Sequence, residues 1–168
     1  LGDVYKRQYK EFVQESSLSR IKSKSDKGGM AILSGSRGDK SKKENQARAK
    51  QLDKDIRGKG LPGATKVTGS YVEKGDDGKE KKVKERSHVV TSGKMGKRKF
   101  KKTVKKLGKK YGQDSVLTQT KKSGTLHATR KKGLGPKTKG VGVGKFSPQK
   151  KNPEGQSQIK GKIFSYSK

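Results

Sequence analysis

Large apolar side chains are scarce in this chain, and their scarcity is the strongest limit on how it can fold. Val, Leu, Ile and Phe make up 29 of the 168 residues, about 17%. Chains below roughly 20% in these residues are disordered by default, because they bury too little apolar surface to offset the entropy of ordering. Here these residues recur periodically. The sequence therefore predicts one compact domain with a small core, solvated loops and tails.

Composition and patterning divide the chain into three regions. Residues 1–8 look like translated read-through of a sequencing adapter and carry no weight in the functional interpretation. Residues 9–29 combine an amphipathic N-terminal helix with a polar, glycine-ended linker from Ser23 to Gly29. Residues 30–168 are expected to form a basic α+β domain with a Gly/Lys-rich C-terminal extension.

The order of elements in the third region predicts the fold class. The clearest helix carries Phe100, Val104, Leu107 and Tyr111 at i, i+4, i+7 and i+11. The pattern as a whole is βαββαββ with late additions, which favours an α+β fold: two helices packed on one face of a small, mostly antiparallel sheet. The predicted segments are strands at 31–33, 65–73, 87–91, 115–119, 125–129, 141–146 and 163–166, and helices at 43–59 and 94–110.

The net charge of the chain gives the most direct indication of its binding partners. The chain has 46 Lys and Arg against 15 Asp and Glu, a formal charge of +31, so a polyanion is the expected ligand. With no Trp and only nine Tyr and Phe, stacking platforms are few, which favours contact with the backbone of duplex DNA over single-strand recognition; RNA is the alternative. The candidate contacts are Lys94, Lys97, Arg98, Lys99, Lys101, Lys102, Lys105, Lys106, Lys109, Lys110, Arg130, Lys131 and Lys132.

Signatures of catalysis are weak. The chain has no cysteine, and His88 and His127 have no carboxylate at metal-ligand spacing, so neither a metal site nor a cofactor is expected. The segment Gly140–Lys145 lacks the glycine and hydroxyl positions of a phosphate-binding loop. Because no local spacing singles out a catalytic set, a non-enzyme is predicted. The residues that could still assemble one in space are Ser34, Arg37, Glu73, Glu85, Ser87 and Asp114.

The stretch Tyr9–Ser16 resembles the capsid-targeting peptide of internal head proteins of large tailed myophages. In that family a prohead protease cuts after a hydrophobic-x-Glu triplet. The triplet Val13-Gln14-Glu15 would supply that signal here, so the resemblance implies processing between Glu15 and Ser16.

Residues 31–130 resemble a domain-of-unknown-function family found in bacteria and marine phages, with a compact α+β domain and no established activity. Its first-strand turn often carries an aromatic-Asn-Pro sequence, which is replaced here by Ser34-Gly35-Ser36-Arg37, so a shared ligand site is in doubt. The segments that carry the resemblance are Glu44-Asn45, Gly69-Ser70-Tyr71, Ser87-His88-Val89-Val90 and the run from Leu107 to Val116.

Together these features predict a phage-encoded, DNA-associated internal head protein that binds nucleic-acid backbone without reading sequence, inside the virion. The prohead protease and the capsid would be its other partners, and no membrane is expected, because no run of about 18 apolar residues occurs. The alternative is a phage accessory factor that acts on RNA or a nucleic-acid complex in the host cytoplasm. An enzyme is the third hypothesis.

Overall fold

The computed structural model describes residues 18–74, 77–129, 139–148, 151, 155–159 and 162–167. Within these ranges the chain forms three helices and eight strands. The helices are α1 (18–27), α2 (Lys42–Gly58) and α3 (Lys97–Lys110). The strands are β1 (Met30–Leu33), β2 (Thr65–Lys74), β3 (Glu80–Thr91), β4 (Ser115–Gln119), β5 (Gly124–Ala128), β6 (Gly140–Pro148), β7 (Gly155–Ile159) and β8 (Lys162–Ser167).

The eight strands close into an antiparallel barrel in the order β1-β3-β2-β7-β8-β6-β5-β4, and β4 pairs with β1 to complete the ring. The prediction of an α+β fold with a small open sheet is therefore wrong. Closure depends on β7, which pairs with β2 on one side and β8 on the other. The sequence interpretation missed β7, whose only large apolar residue is Ile159. Without β7, two strands would keep unpaired edges, which closure removes.

Helix α2 begins at a capping box that the sequence encodes directly. The Ser41 hydroxyl accepts a hydrogen bond from the backbone N–H of Glu44, whose carboxylate accepts one from the N–H of Ser41. This exchange satisfies two backbone donors that a helix start leaves open. Leu52 and Ile56 then face the barrel and are buried. The predicted helix at 43–59 is confirmed within one residue at each end.

Helix α3 confirms the predicted apolar stripe. Phe100, Val104 and Leu107 are buried against the outside of the barrel, while the other faces carry lysines. Gly108 lies on the same buried face, where a Cβ atom would meet a methyl group of Val116 on β4. The helix ends at Lys110 and is capped by Tyr111, and Gly112 follows with a φ of 74°. This glycine lets the chain turn back into β4.

Two apolar clusters lie on opposite faces of the sheet. The outer core joins α2 and α3 to residues such as Leu33 and Val90. Because successive strand residues alternate between faces, their neighbours Ile32 and Val89 face the barrel interior. The inner core consists of Leu18, Ile21, Met30, Val67, Val89, Ile159 and Phe164.

Helix α1 closes one end of the barrel, since its Leu18 and Ile21 are 6% and 7% exposed and belong to the inner core. Residues 23–27, which were expected to form a linker, continue this helix. Across the ranges that the structure describes, no helix has the length and apolar character needed to cross a membrane.

Candidate active site

The end of the barrel opposite α1 is polar, and we refer to its residues Ser34, Gly69, Glu85, Ser87 and Ser157 as the polar end. The last four lie on the inner face of the sheet, and Ser34 follows β1. They come from four different strands or their ends and follow directly on the apolar inner core. Met30, at the start of β1, opposes Thr91 near α1, whereas Leu33, at the end of β1, opposes His88. The polar end therefore lies beyond the end of β1.

Gly69 forms the centre of this cluster. It lies opposite Glu85 on β3 and opposite Ser157 on β7. A Cβ atom at Gly69 would stand 3.7 Å from the Ser157 hydroxyl and 3.9 Å from the Ser87 hydroxyl, which are ordinary contact distances. A single Cβ atom would therefore fit between these two hydroxyl groups, and the half-buried Glu85 lies on the same face of the sheet.

Ser34 follows β1 at the same end and is held rigidly. Its hydroxyl donates to the carbonyl oxygen of Arg86 and accepts from the N–H of Ser36, both at 3.1 Å. Its own N–H donates to Gln113 Oε1 at 3.1 Å. Ser34 is only 2% exposed. Its bonds to Arg86 and Gln113 hold the turn after β1 against β3 and against the residues that follow α3.

The structure brings together part of the set that could assemble a catalytic site. Ser34, Glu85 and Ser87 share the polar end. Arg37 does not join them, because its guanidinium binds the Asp39 carboxylate at 2.8 Å and the carbonyl oxygen of Gly112 at 2.9 Å. Two residues of the set remain. Asp114 follows α3, where its backbone carbonyl accepts from Thr129; the side chain of Glu73 lies outside the described residues.

The two histidines lie on the other face of the sheet. His88 is buried beneath α2, and its Nε2 is 3.2 Å from Asp53 Oδ1. Burial lowers the pKa of His88, and the negative charge of Asp53 partly opposes this shift. His127 Nε2 lies 2.7 Å from the Thr118 hydroxyl, and burial also lowers its pKa. Neither imidazole belongs to the polar end.

The predicted nucleic-acid contacts lie mainly along the outside of α3. Six of them, together with Thr129, line a shallow groove of about 410 Å³. Lys110 instead binds Asp55 at 2.7 Å. Arg130, Lys131, Lys132, Glu15 and Ser16 lie outside the described residues. The contacts that share the groove are Arg98, Lys101, Lys102, Lys105, Lys106 and Lys109.

The described residues also limit the chemistry available. No group of three or more His, Asp or Glu side chains among them could hold a metal ion. A sequence interpretation could have found the polar end from one signal. Glu85 is an acid in a run of basic residues, and it shares its strand face with Val83 and Ser87.

A comparison with known protein families bears on the function of the chain. The sequence model of the S-adenosylmethionine lyase family matches residues 31–167, most of the chain. No curated protein matches the chain. The family is one of enzymes, so the predictions of a protein without catalytic activity and of a DNA-binding internal head protein are wrong. The positive charge had suggested a polyanion as the main ligand, although it does not exclude a catalytic site elsewhere in the fold.

Proposed function

The chain belongs to the S-adenosylmethionine lyase family, and on this basis we propose that it cleaves S-adenosylmethionine at the polar end of the barrel. The family match is the observation that carries the proposal. The polar end supports it, because it joins a carboxylate and hydroxyl groups to an apolar interior. Such a combination suits a ligand with a cationic amino-acid portion.

A lyase breaks a bond without water, and the substrate contains its own nucleophile. Its α-carboxylate can attack the γ carbon that the sulfonium activates, closing a five-membered ring. One carbon–oxygen bond forms, and one carbon–sulfur bond breaks with its electron pair going to sulfur. The products are a lactone of the amino-acid portion and a neutral thioether, methylthioadenosine. No proton, electron or further reactant is needed.

The barrel interior would favour this reaction because it is apolar. Carboxylate and sulfonium neutralise each other as the ring closes, so the transition state carries less separated charge than the bound substrate. An environment that excludes water stabilises such a transition state relative to the ground state. The inner-core residues Val67 and Val89 adjoin the polar end and would supply that environment.

Glu85 would bind the substrate's α-ammonium group, whose charge persists through the reaction. An interaction that is equal in the bound substrate and in the transition state lowers KM and leaves kcat unchanged. A hydrogen bond to a charged group contributes about 1.5–3 kcal/mol, so its loss should raise KM by roughly 10- to 150-fold. The hydroxyls of Ser87 and Ser157 would orient the rest of the amino-acid portion.

The test is to incubate the purified chain with S-adenosylmethionine and quantify methylthioadenosine by chromatography. Hydroxylamine added during the reaction traps a lactone as a hydroxamate but leaves free homoserine unchanged, so it distinguishes lyase from hydrolase chemistry. Glu85→Gln should raise KM while kcat changes less than about threefold. Glu80→Gln is the matched control, because Glu80 begins the same strand and is exposed.

Each result is decisive. Absence of methylthioadenosine with the unaltered chain contradicts the lyase proposal. Formation of methylthioadenosine without a hydroxamate would show that the substrate is hydrolysed and that no lactone forms. Normal kinetics in Glu85→Gln would remove Glu85 from the substrate site.

A further inference from the structure

A basic cavity lies at the end of the barrel that α1 closes, opposite the polar end. Its volume is about 630 Å³, within the range of roughly 300–1,000 Å³ typical of small-molecule sites. Four of its lining residues come from α1 and the start of β1, which precede the part of the chain that matches the lyase family. The lining residues are Lys22, Ser25, Asp26, Met30, Lys121, Lys122, Lys145 and Phe146.

The charges in this cavity are those of an anion site. Lys22 binds Asp26 at 3.0 Å, so the only carboxylate of the lining is already neutralised. In the part of the chain that the structure describes, Lys121, Lys122 and Lys145 have no acidic partner. Three uncompensated ammonium groups would repel the sulfonium of S-adenosylmethionine and attract phosphate.

A buried hydroxyl gives a second, independent indication of a ligand. Ser25 lines the cavity, is 3% exposed, and its Oγ has no hydrogen-bond partner among the described residues. A buried polar group without a partner costs about 1–3 kcal/mol. A bound phosphate oxygen would accept its hydrogen bond and remove that cost.

The remaining lining is apolar and aromatic. Phe146 packs with its ring centroid 5.2 Å from that of Phe164 and 5.7 Å from that of Tyr166, so its orientation is fixed. Met30, almost fully buried, lies beside the same cavity. A rigid ring and a polarisable thioether form a surface suited to a flat heterocyclic base.

We propose that this cavity binds a nucleotide, with its phosphate groups on Lys121, Lys122 and Lys145 and its base against Phe146. The proposal does not depend on the lyase activity, because the two sites lie at opposite ends of the barrel. A nucleotide here would contact α1 and the β4–β5 turn together, and so would hold α1 in place.

The experiment is calorimetric titration of the full chain with ATP at about 150 mM salt, where diffuse attraction is screened beyond roughly 8 Å. Lys121→Gln/Lys122→Gln should weaken binding by at least about tenfold, and Ser25→Ala by a smaller factor. The matched control is Lys101→Gln/Lys102→Gln, the same charge change in the groove of α3. It should leave ATP binding within about twofold of the unaltered chain, because those ammonium groups are outside the cavity.

Two further arms identify the ligand's chemistry. Phe146→Leu should weaken binding of ATP but not of inorganic triphosphate, because only ATP has a base. Glu85→Gln should leave ATP binding unchanged, since Glu85 is at the polar end. Equal losses in the two lysine pairs would overturn the cavity as the site. Equal affinities for triphosphate and ATP would overturn the nucleotide assignment, whatever the lyase assay gives.

Discussion

Replacing Ile21 by Ala tests whether α1 is part of the barrel. Ile21 is 7% exposed and contacts the inner core, so the substitution removes three carbon groups from an almost fully buried position. At about 0.8 kcal/mol for each buried carbon group, the lost transfer free energy is about 2.4 kcal/mol. The cavity left at the barrel end adds to it, giving a loss of roughly 3–4 kcal/mol in the free energy of unfolding.

Urea denaturation followed by far-ultraviolet circular dichroism measures this loss, since the chain has no Trp for fluorescence. The midpoint of thermal unfolding should fall by roughly 6–15 °C in a chain of this size. Arg20→Ala is the control, because Arg20 is the exposed neighbour of Ile21 on α1. If both variants unfold within about 0.5 kcal/mol of the unaltered chain, α1 does not close the barrel.

Two further perturbations test contacts elsewhere. The Tyr111 hydroxyl donates to Asp55 Oδ2 at 2.6 Å and, after Lys110, helps to lower the pKa of that carboxyl to about 2. Tyr111→Phe should cost about 1–2 kcal/mol in urea denaturation at pH 7 and raise the pKa of Asp55 measured by NMR; an unchanged pKa would contradict the contact. Burial lowers the pKa of His88 below 6.5, so the unfolded chain takes up the proton first and stability falls as the pH drops below about 6.5. His88→Gln should flatten the decline measured between pH 7 and pH 5; an unaltered slope would exclude His88, and His127 would account for the part that remains.

The elements that the sequence predicted well are those in which apolar residues recur with a clear helical or strand periodicity. The stripe of Phe100, Val104 and Leu107 defines α3 without help from the rest of the chain. The strands predicted at 65–73 and 87–91 are also confirmed, and both are longer than predicted: β2 and β3 pair from Thr65 and Val89 to Lys74 and Glu80. The first half of β3 consists mostly of charged residues and has few apolar ones. The alternation of apolar and polar residues that predicts a strand is therefore missing there.

Closure of the barrel is a property that no single segment encodes. The segment Gly155–Ile159 reads Gly-Gln-Ser-Gln-Ile, and its polar residues gave no strand signal. Its strand structure comes from pairing with β2 and β8 on both sides, which satisfies its backbone groups whatever the side chains are. The same omission concealed the site, because Ser157 reaches Gly69 only when β7 is in place.

Net charge explains why the functional prediction was wrong. A total of +31 describes the potential far from the molecule, whereas a ligand responds to groups within a few ångströms. The barrel interior separates those groups: Glu85 lies at one end, and Lys121, Lys122 and Lys145 lie at the other. A cationic substrate and an anionic ligand could therefore each find a favourable end of one basic protein, while the ring of inner-core side chains such as Phe164 keeps the two ends apart.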